Sequence, residues 1–163
     1  MIVVSNSSPL INLAYINQLD LLYTLYKQIF IPDSVYNEIV IQGKGKFGAF
    51  EIQNKKWITV KQVKNQELIK FLEIELDRGE SEAIALAVEL NADLFLIDEK
   101  KGRKIAGRFN LKYVGLLGIL IEAKEKNLVA DCKALISKLV IETGYRISIF
   151  LIMTIGIRRQ EAC

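Results

Sequence analysis

Apolar residues along the chain fall in short blocks whose spacing changes from one element to the next. Ile2-Val3-Val4 is apolar throughout and gives way to Ser5-Asn6-Ser7-Ser8-Pro9, which predicts a buried strand, a turn and a helix with Pro9 in its first turn. Leu10, Leu13, Ala14, Leu19, Leu22 and Leu25 then keep helical spacing as far as Tyr26. Gln28-Ile29-Phe30-Ile31 predicts a second strand, stopped by Pro32. The helix after it starts at Asp33 or Ser34, both good N-caps. Gln42-Gly43-Lys44-Gly45-Lys46 reads as a loop, and Lys56 to Val63 alternates as a strand does.

Helical spacing returns from Glu67, breaks at Asp77-Arg78-Gly79 and resumes from Glu80 to Leu90. Leu94-Phe95-Leu96-Ile97 is apolar on both faces, as expected of a central parallel strand covered by helices on each side. A short strand at Tyr113-Val114 precedes helical stretches near Gly115 to Lys126 and Ala130 to Ile141. Strands alternating with helices predict an α/β layered fold with a mostly parallel sheet. Without a linker or repeat to divide it, residues 1–163 are expected to form a single domain.

Composition narrows the chemistry more than the class. The 163 residues include no histidine, which excludes Ser-His-Asp triads, Cys-His dyads and HExxH zinc sites. Cys132 and Cys163 are far from any CxxC spacing, so zinc ribbons and a disulfide framework are excluded as well, and such cysteine usage suits a reducing compartment. The longest apolar stretch, Ile147 to Ile157, is too short to span a bilayer, and Met1 is followed by Ile-Val-Val with no basic region of a signal peptide. A cytoplasmic protein is expected. Carboxylates, hydroxyls, lysines and arginines remain as chemistry, most naturally with a hard cation on oxygen ligands. A net charge of +3 permits a polyanionic partner without requiring one.

In open parallel sheets ligands bind beyond the carboxyl ends of the strands. Asn6 follows the first strand there, and Asp98, with Glu99 beside it, follows Leu94 to Ile97; each alone also reads as an ordinary helix N-cap. At roughly 100° per residue, Ala83, Ile84, Ala87, Val88 and Leu90 fall within about 80° of Glu80, whereas Glu82 and Glu89 fall near the opposite side. Glu80 is therefore expected to point inward, near the carboxylate of Asp98, and Glu82 to face solvent. A carboxylate in an apolar arc needs a partner such as a cation. Glu38 sits on the edge of the arc of Val35 and Ile39, a position that solvated surface glutamates also take. Were Glu38, Glu80, Asp98 and Asn6 to converge over one edge of the sheet, their oxygens would form a magnesium or manganese site. Lys100, Lys101, Arg103, Lys104, Arg108 and Lys112 follow, with Glu99 as the one acid among them. Such a run reads equally as a contact for a nucleic-acid backbone or as a solvated helix face.

Four segments in this order resemble the PIN domain, a magnesium- or manganese-dependent single-strand nuclease fold. They are Val3-Val-Ser-Asn-Ser-Ser-Pro-Leu-Ile11, Ile31-Pro-Asp-Ser-Val-Tyr-Asn-Glu38, Gly79-Glu-Ser-Glu-Ala-Ile-Ala-Leu-Ala87 and Leu96-Ile-Asp-Glu99, the last with Lys101-Gly-Arg103 behind it. The likeness runs nearly the whole chain. More narrowly it looks like a prokaryotic subfamily often linked to toxin-antitoxin pairs, to which Gly144-Tyr-Arg-Ile-Ser148 is also similar. It implies a three-layer fold whose central sheet of about four to five mostly parallel strands is flanked by helices.

Carried over position by position, the family's first acid falls on Asn6, its second on Glu38, its third on Glu80 or else Glu82, and its last on Asp98. The resemblance thus implies Glu38, Glu80 and Asp98 as catalytic residues and Asn6, Glu38, Glu80, Asp98 and Glu99 as ligands of Mg2+ or Mn2+. It implies Ser8, Lys100, Lys101, Arg103 and Lys104 as contacts to single-stranded RNA. The metal would polarise a phosphodiester and acidify a bound water. Asn6 departs from the family's aspartate, keeping one neutral oxygen donor and losing a full negative charge. Two functions follow: an endoribonuclease of the toxin kind with an antitoxin partner, or a fold that binds RNA or protein without cutting. A phospho-accepting receiver domain needs an acceptor aspartate and an acid pair at the first strand, and Ser5-Asn6 supplies neither.

Ile147 to Ile157 is apolar nearly all round and must be covered. The segment 144–163 is therefore expected to take part in an interface, a homodimer or an inhibitor surface, that includes Phe150, Leu151 and Met153.

Overall fold

The polar breaks noted above become the joints between five strands and nine helices in a computed structural model, which describes residues 1–147. In chain order these are β1 (Val3–Ser5), α1 (Ser7–Tyr15), α2 (Leu21–Tyr26), β2 (Ile29–Pro32) and α3 (Asp33–Tyr36), which runs on into a π-helical segment, Asn37–Gln42. Then follow α4 (Ala49–Gln53), β3 (Ile58–Lys61), α5 (Gln66–Leu72), α6 (Arg78–Glu89), β4 (Leu94–Leu96), α7 (Lys100–Arg108), β5 (Tyr113–Val114), α8 (Leu116–Glu125) and α9 (Cys132–Thr143).

All the strand pairs are parallel, in the order β3-β2-β1-β4-β5. From β1 the chain steps outward through β2 to β3; from β4 it steps the other way to β5. Right-handed crossovers in opposite directions place the two groups of helices on opposite faces. Accordingly α1 packs with α4, α8 and α9, while α6 packs with α5 and α7. The result is a three-layer α/β fold with an all-parallel sheet, and its topological switch point lies between β1 and β4, where such folds open a crevice. Register there is held by apolar side chains with no exposure, Val3 and Val4 against Phe95 and Leu96, paired Val4 to Phe95 and Ser5 to Leu96. The Asn6 N–H continues the ladder, donating to the Leu96 carbonyl at 3.0 Å.

Some sequence expectations are corrected. The helix expected through Tyr26 is two helices, because Asn17 adopts a left-handed φ of 56° that an α-helix cannot contain. The short α4, anchored by buried Ala49 and Ile52, has no counterpart in the periodicity reading, and the helix expected from Asp33 or Ser34 continues past Tyr36 as a π-helical segment rather than an α-helix. Among the described residues no helix is long and apolar enough to cross a membrane. The interface expectation for Phe150, Leu151 and Met153 lies outside the described residues.

Candidate functional site

At the switch point three polar residues sit where β1 and β4 end. Asn6 is 2% exposed and occupies the N-cap position of α1 without making a side-chain cap bond. Its amide nitrogen instead donates to Glu99 Oε2 at 3.2 Å, and its Oδ1 is buried with no partner. Asp98 is anchored through one oxygen only: Oδ1 accepts the Leu116 N–H at 2.9 Å and the Tyr145 hydroxyl at 2.8 Å, while Oδ2 is buried and unpartnered. The Arg103 guanidinium donates to the Asp98 carbonyl oxygen at 2.6 Å. Burial and the Asp98 carboxylate push the Tyr145 phenol upward, so it remains a donor.

Two more acids close the cleft. Glu80 begins α6 and shares a reciprocal capping box with Asp77: the Glu80 N–H donates to Asp77 Oδ1 at 2.8 Å and the Asp77 N–H to Glu80 Oε2 at 3.4 Å. Glu38, exposed on the π-helical segment, accepts a hydrogen bond from the Ser7 side chain. Desolvation raises both glutamates above the ordinary carboxyl range, and repulsion from Asp77 and Glu99 raises them further; the Ser7 bond at Glu38 and Lys101 near Glu80 act in the opposite sense. Three glycines leave room for these acids. A Cβ would lie 3.2 Å from Glu38 Oε2 at Gly79, 3.2 Å from Glu80 Oε1 at Gly102 and 2.8 Å from Asp98 Oδ1 at Gly115.

This donor set suits a hard cation. It is all oxygen, two of its buried oxygens lack partners, and its glutamates carry charges that crowd one another. Among the described residues no three Asp, Glu, Cys or His side chains stand close enough together to grip an ion directly. An ion here would be met by one or two carboxylates with water completing its shell, the usual manner of magnesium. A family model for the PIN domain matches residues 2–160. The chain belongs to the PIN domain family. No curated protein matches it. PIN domains are nuclease-type folds and generally depend on divalent metals.

Within this PIN domain the expectation for Glu82 is overturned. Glu82 is 6% exposed, with Oε2 accepting the Ser34 N–H at 3.1 Å and Oε1 accepting from Arg78 Nε at 2.9 Å. Solvent was expected because only one face of α6 was counted as apolar. In the structure 83–87 is buried all round, since α3, α5 and α7 pack against α6 as well as the sheet. Leu86, about 40° from Glu82 around the helix, carried that signal in the sequence.

The cations do not share one face. Lys100, Lys101 and Lys104 are exposed on α7, but Arg103 is half-buried and turned inward to Asp98. Arg108 ends α7 roughly 12 Å along the helix from Lys100 and pairs with Glu75 at 3.1 Å. Lys112 lies ahead of β5, where its carbonyl accepts the Phe95 N–H, so it is away from the carboxyl ends of the strands. Ser8 is engaged along α1, its hydroxyl accepting from Asn12 Nδ2 at 3.4 Å; the serine against Glu38 is Ser7. Ser7, Asp77 and Tyr145 are site residues that the sequence reading did not single out. Of these only Asp77 had a local signal, the Asp-x-x-Glu spacing of a capping box.

Proposed function

We propose that this PIN domain is an endoribonuclease that uses Mg2+ or Mn2+ to cut single-stranded RNA over the carboxyl ends of β1 and β4. The observation that carries this reading is the pair of buried, unpartnered oxygens, Asn6 Oδ1 and Asp98 Oδ2, in a cleft walled by Glu38, Glu80 and Glu99. When bound there, the metal supplies a polarised phosphodiester and a water of lowered pKa. Asp98 offers its free oxygen while the other is held by Leu116 and Tyr145. Glu99, fixed by the Asn6 amide, provides the negative charge that the amide lacks. Glu80 Oε2 is engaged by Asp77, so Oε1 is the atom that takes a proton from attacking water, a role suited to a carboxylate whose proton affinity is raised. Lys100, Lys101 and Lys104 hold the RNA backbone by charge.

The reading extends to a cytoplasmic toxin whose partners are an antitoxin protein and a second copy of the chain, drawn to the apolar sequence from Ile147 to Ile157. Incubation with single-stranded RNA and manganese should give products that disappear in chelator. A second reading, RNA binding without cleavage, rests on Asn6, which brings no negative charge of its own and whose amide nitrogen is engaged by Glu99. Retention of RNA with no products would favour it, and neither binding nor cleavage would overturn both.

A further inference from the structure

We infer that Tyr145 is a positioning residue of the cleft, selecting which oxygen of Asp98 is presented to a divalent cation; this rests on the metal-site reading above. A carboxylate has two equivalent oxygens and, left alone, turns freely between them. Here the two are made unlike. Asp98 Oδ1 receives the Leu116 N–H at 2.9 Å and the Tyr145 hydroxyl at 2.8 Å, and Oδ2 receives nothing although it is buried. The Leu116 N–H belongs to the first turn of α8 and cannot be moved without moving the helix. Tyr145 is the adjustable half of the clamp.

Its placement depends on how α9 ends. Gly144 takes a left-handed φ of 67°, which terminates the helix and redirects the chain. Thr143 reinforces the turn, its hydroxyl donating to the Leu139 carbonyl at 2.6 Å and accepting the Tyr145 N–H at 3.3 Å. The Tyr145 ring then packs against the core, and its hydroxyl reaches a carboxylate 47 residues earlier in the sequence. A ring needed only for packing requires no hydroxyl there. A hydroxyl needed only for solubility would not be aimed at the oxygen beside the one left bare.

Tyr145→Phe keeps the ring and removes the bond. Isothermal titration with manganese chloride at fixed pH should then show affinity about tenfold weaker than that of the native protein, the scale of one hydrogen bond to a charged group. Melting in chelator should change little, which separates positioning from support of the fold. Gly144→Ala keeps the hydroxyl but strains the turn that delivers it, and should weaken manganese binding in the same direction. Native affinity in both variants would overturn the role of Tyr145 while leaving the metal site standing. A native protein that binds no manganese would overturn the metal-site reading, and this inference with it.

Discussion

Glu80 and Glu82 lie two residues apart on one helix and meet opposite fates. Glu82 is the more deeply buried, yet each of its oxygens has a donor, Ser34 N–H on one and Arg78 Nε on the other. Glu80 is only half-buried but faces Asp77 and Glu99, with Lys101 as its nearby cation, and its carboxyl is held above the ordinary range by desolvation and then by that repulsion. Depth of burial therefore does not mark the candidate site. What marks it is repelling carboxylates beside acceptor oxygens left bare, Asn6 Oδ1 and Asp98 Oδ2; a bare oxygen alone does not, since the Ser34 and Ser81 hydroxyls are buried without partners too. Glu82 ties the start of α3 to α6, so it supports the strand-to-helix turn from which Glu38 is presented.

The largest effect that tests this contrast is on cleavage. Glu80→Gln and Asp98→Asn should each lower manganese-dependent RNA cleavage by at least about a hundredfold. Both should melt in chelator at or above the native temperature, because lost repulsion offsets little lost structure, and Gln can still complete the capping box with Asp77. Glu82→Ala should do the reverse. It leaves the Ser34 N–H unpaired and should cost about 2 kcal/mol of stability, discounted for the exposed Arg78 end, with cleavage per folded molecule largely kept. Gels and melts on the same samples decide it, and equal behaviour of the two glutamates would erase the distinction.

How much of this was legible beforehand depended on the distance over which each feature is determined. Asn6, Asp98 and Glu99 follow from a rule about strand ends that needs only the strands to be found, and the apolar runs of β1 and β4 are unmistakable. The error at Glu82 arose because a helical wheel records the helix and not what covers it. The approach of α3 brings Ser34 to a residue 48 positions later. Tyr145 was part of a segment noted for its family likeness, but nothing local ties it to Asp98. The cationic run was broken up by geometry that sequence order hides, since a helix antiparallel to the strands carries its last residues away from the cleft.

Replacing Asn6 sharpens the comparison from the other side, by adding charge where Glu80→Gln removes it. An aspartate there would face Glu99 Oε2 across a contact now spanned by a 3.2 Å hydrogen bond. In chelator Asn6→Asp should therefore be less stable by about 1 kcal/mol. Manganese should bind about tenfold more tightly, a gain of about 1.4 kcal/mol, and any native cleavage should accelerate. Calorimetry showing unchanged affinity would mean that Asn6 does not touch the metal, and the reading of Glu99 as its charged substitute would fail.

The smallest expected effect is a dependence of stability on pH in the absence of metal, and its sign is opposite to that of ordinary paired carboxylates. Glu38 and Glu80 have folded values raised above the ordinary 4.5. The folded state therefore holds their protons more tightly than the unfolded chain does. Their contribution is fully present below 4.5 and is lost as pH rises through the raised values, so melting in chelator should climb as pH is lowered from neutrality toward that range. Glu122 behaves in the other direction. Partial burial alone would raise it, but Lys126 and the Tyr26 hydroxyl hold it below 4.5, so its stabilisation is lost only at still lower pH and leaves the upper window clear. The double variant Glu38→Gln, Glu80→Gln should flatten the climb. Saturating manganese should reverse it, because the cation competes with protons for the same oxygens and favours the higher pH. A native melting temperature that falls steadily between pH 7 and pH 5 in chelator, with the double variant following the same line, would show that the cleft glutamates do not hold their protons more tightly in the folded protein than in the unfolded chain.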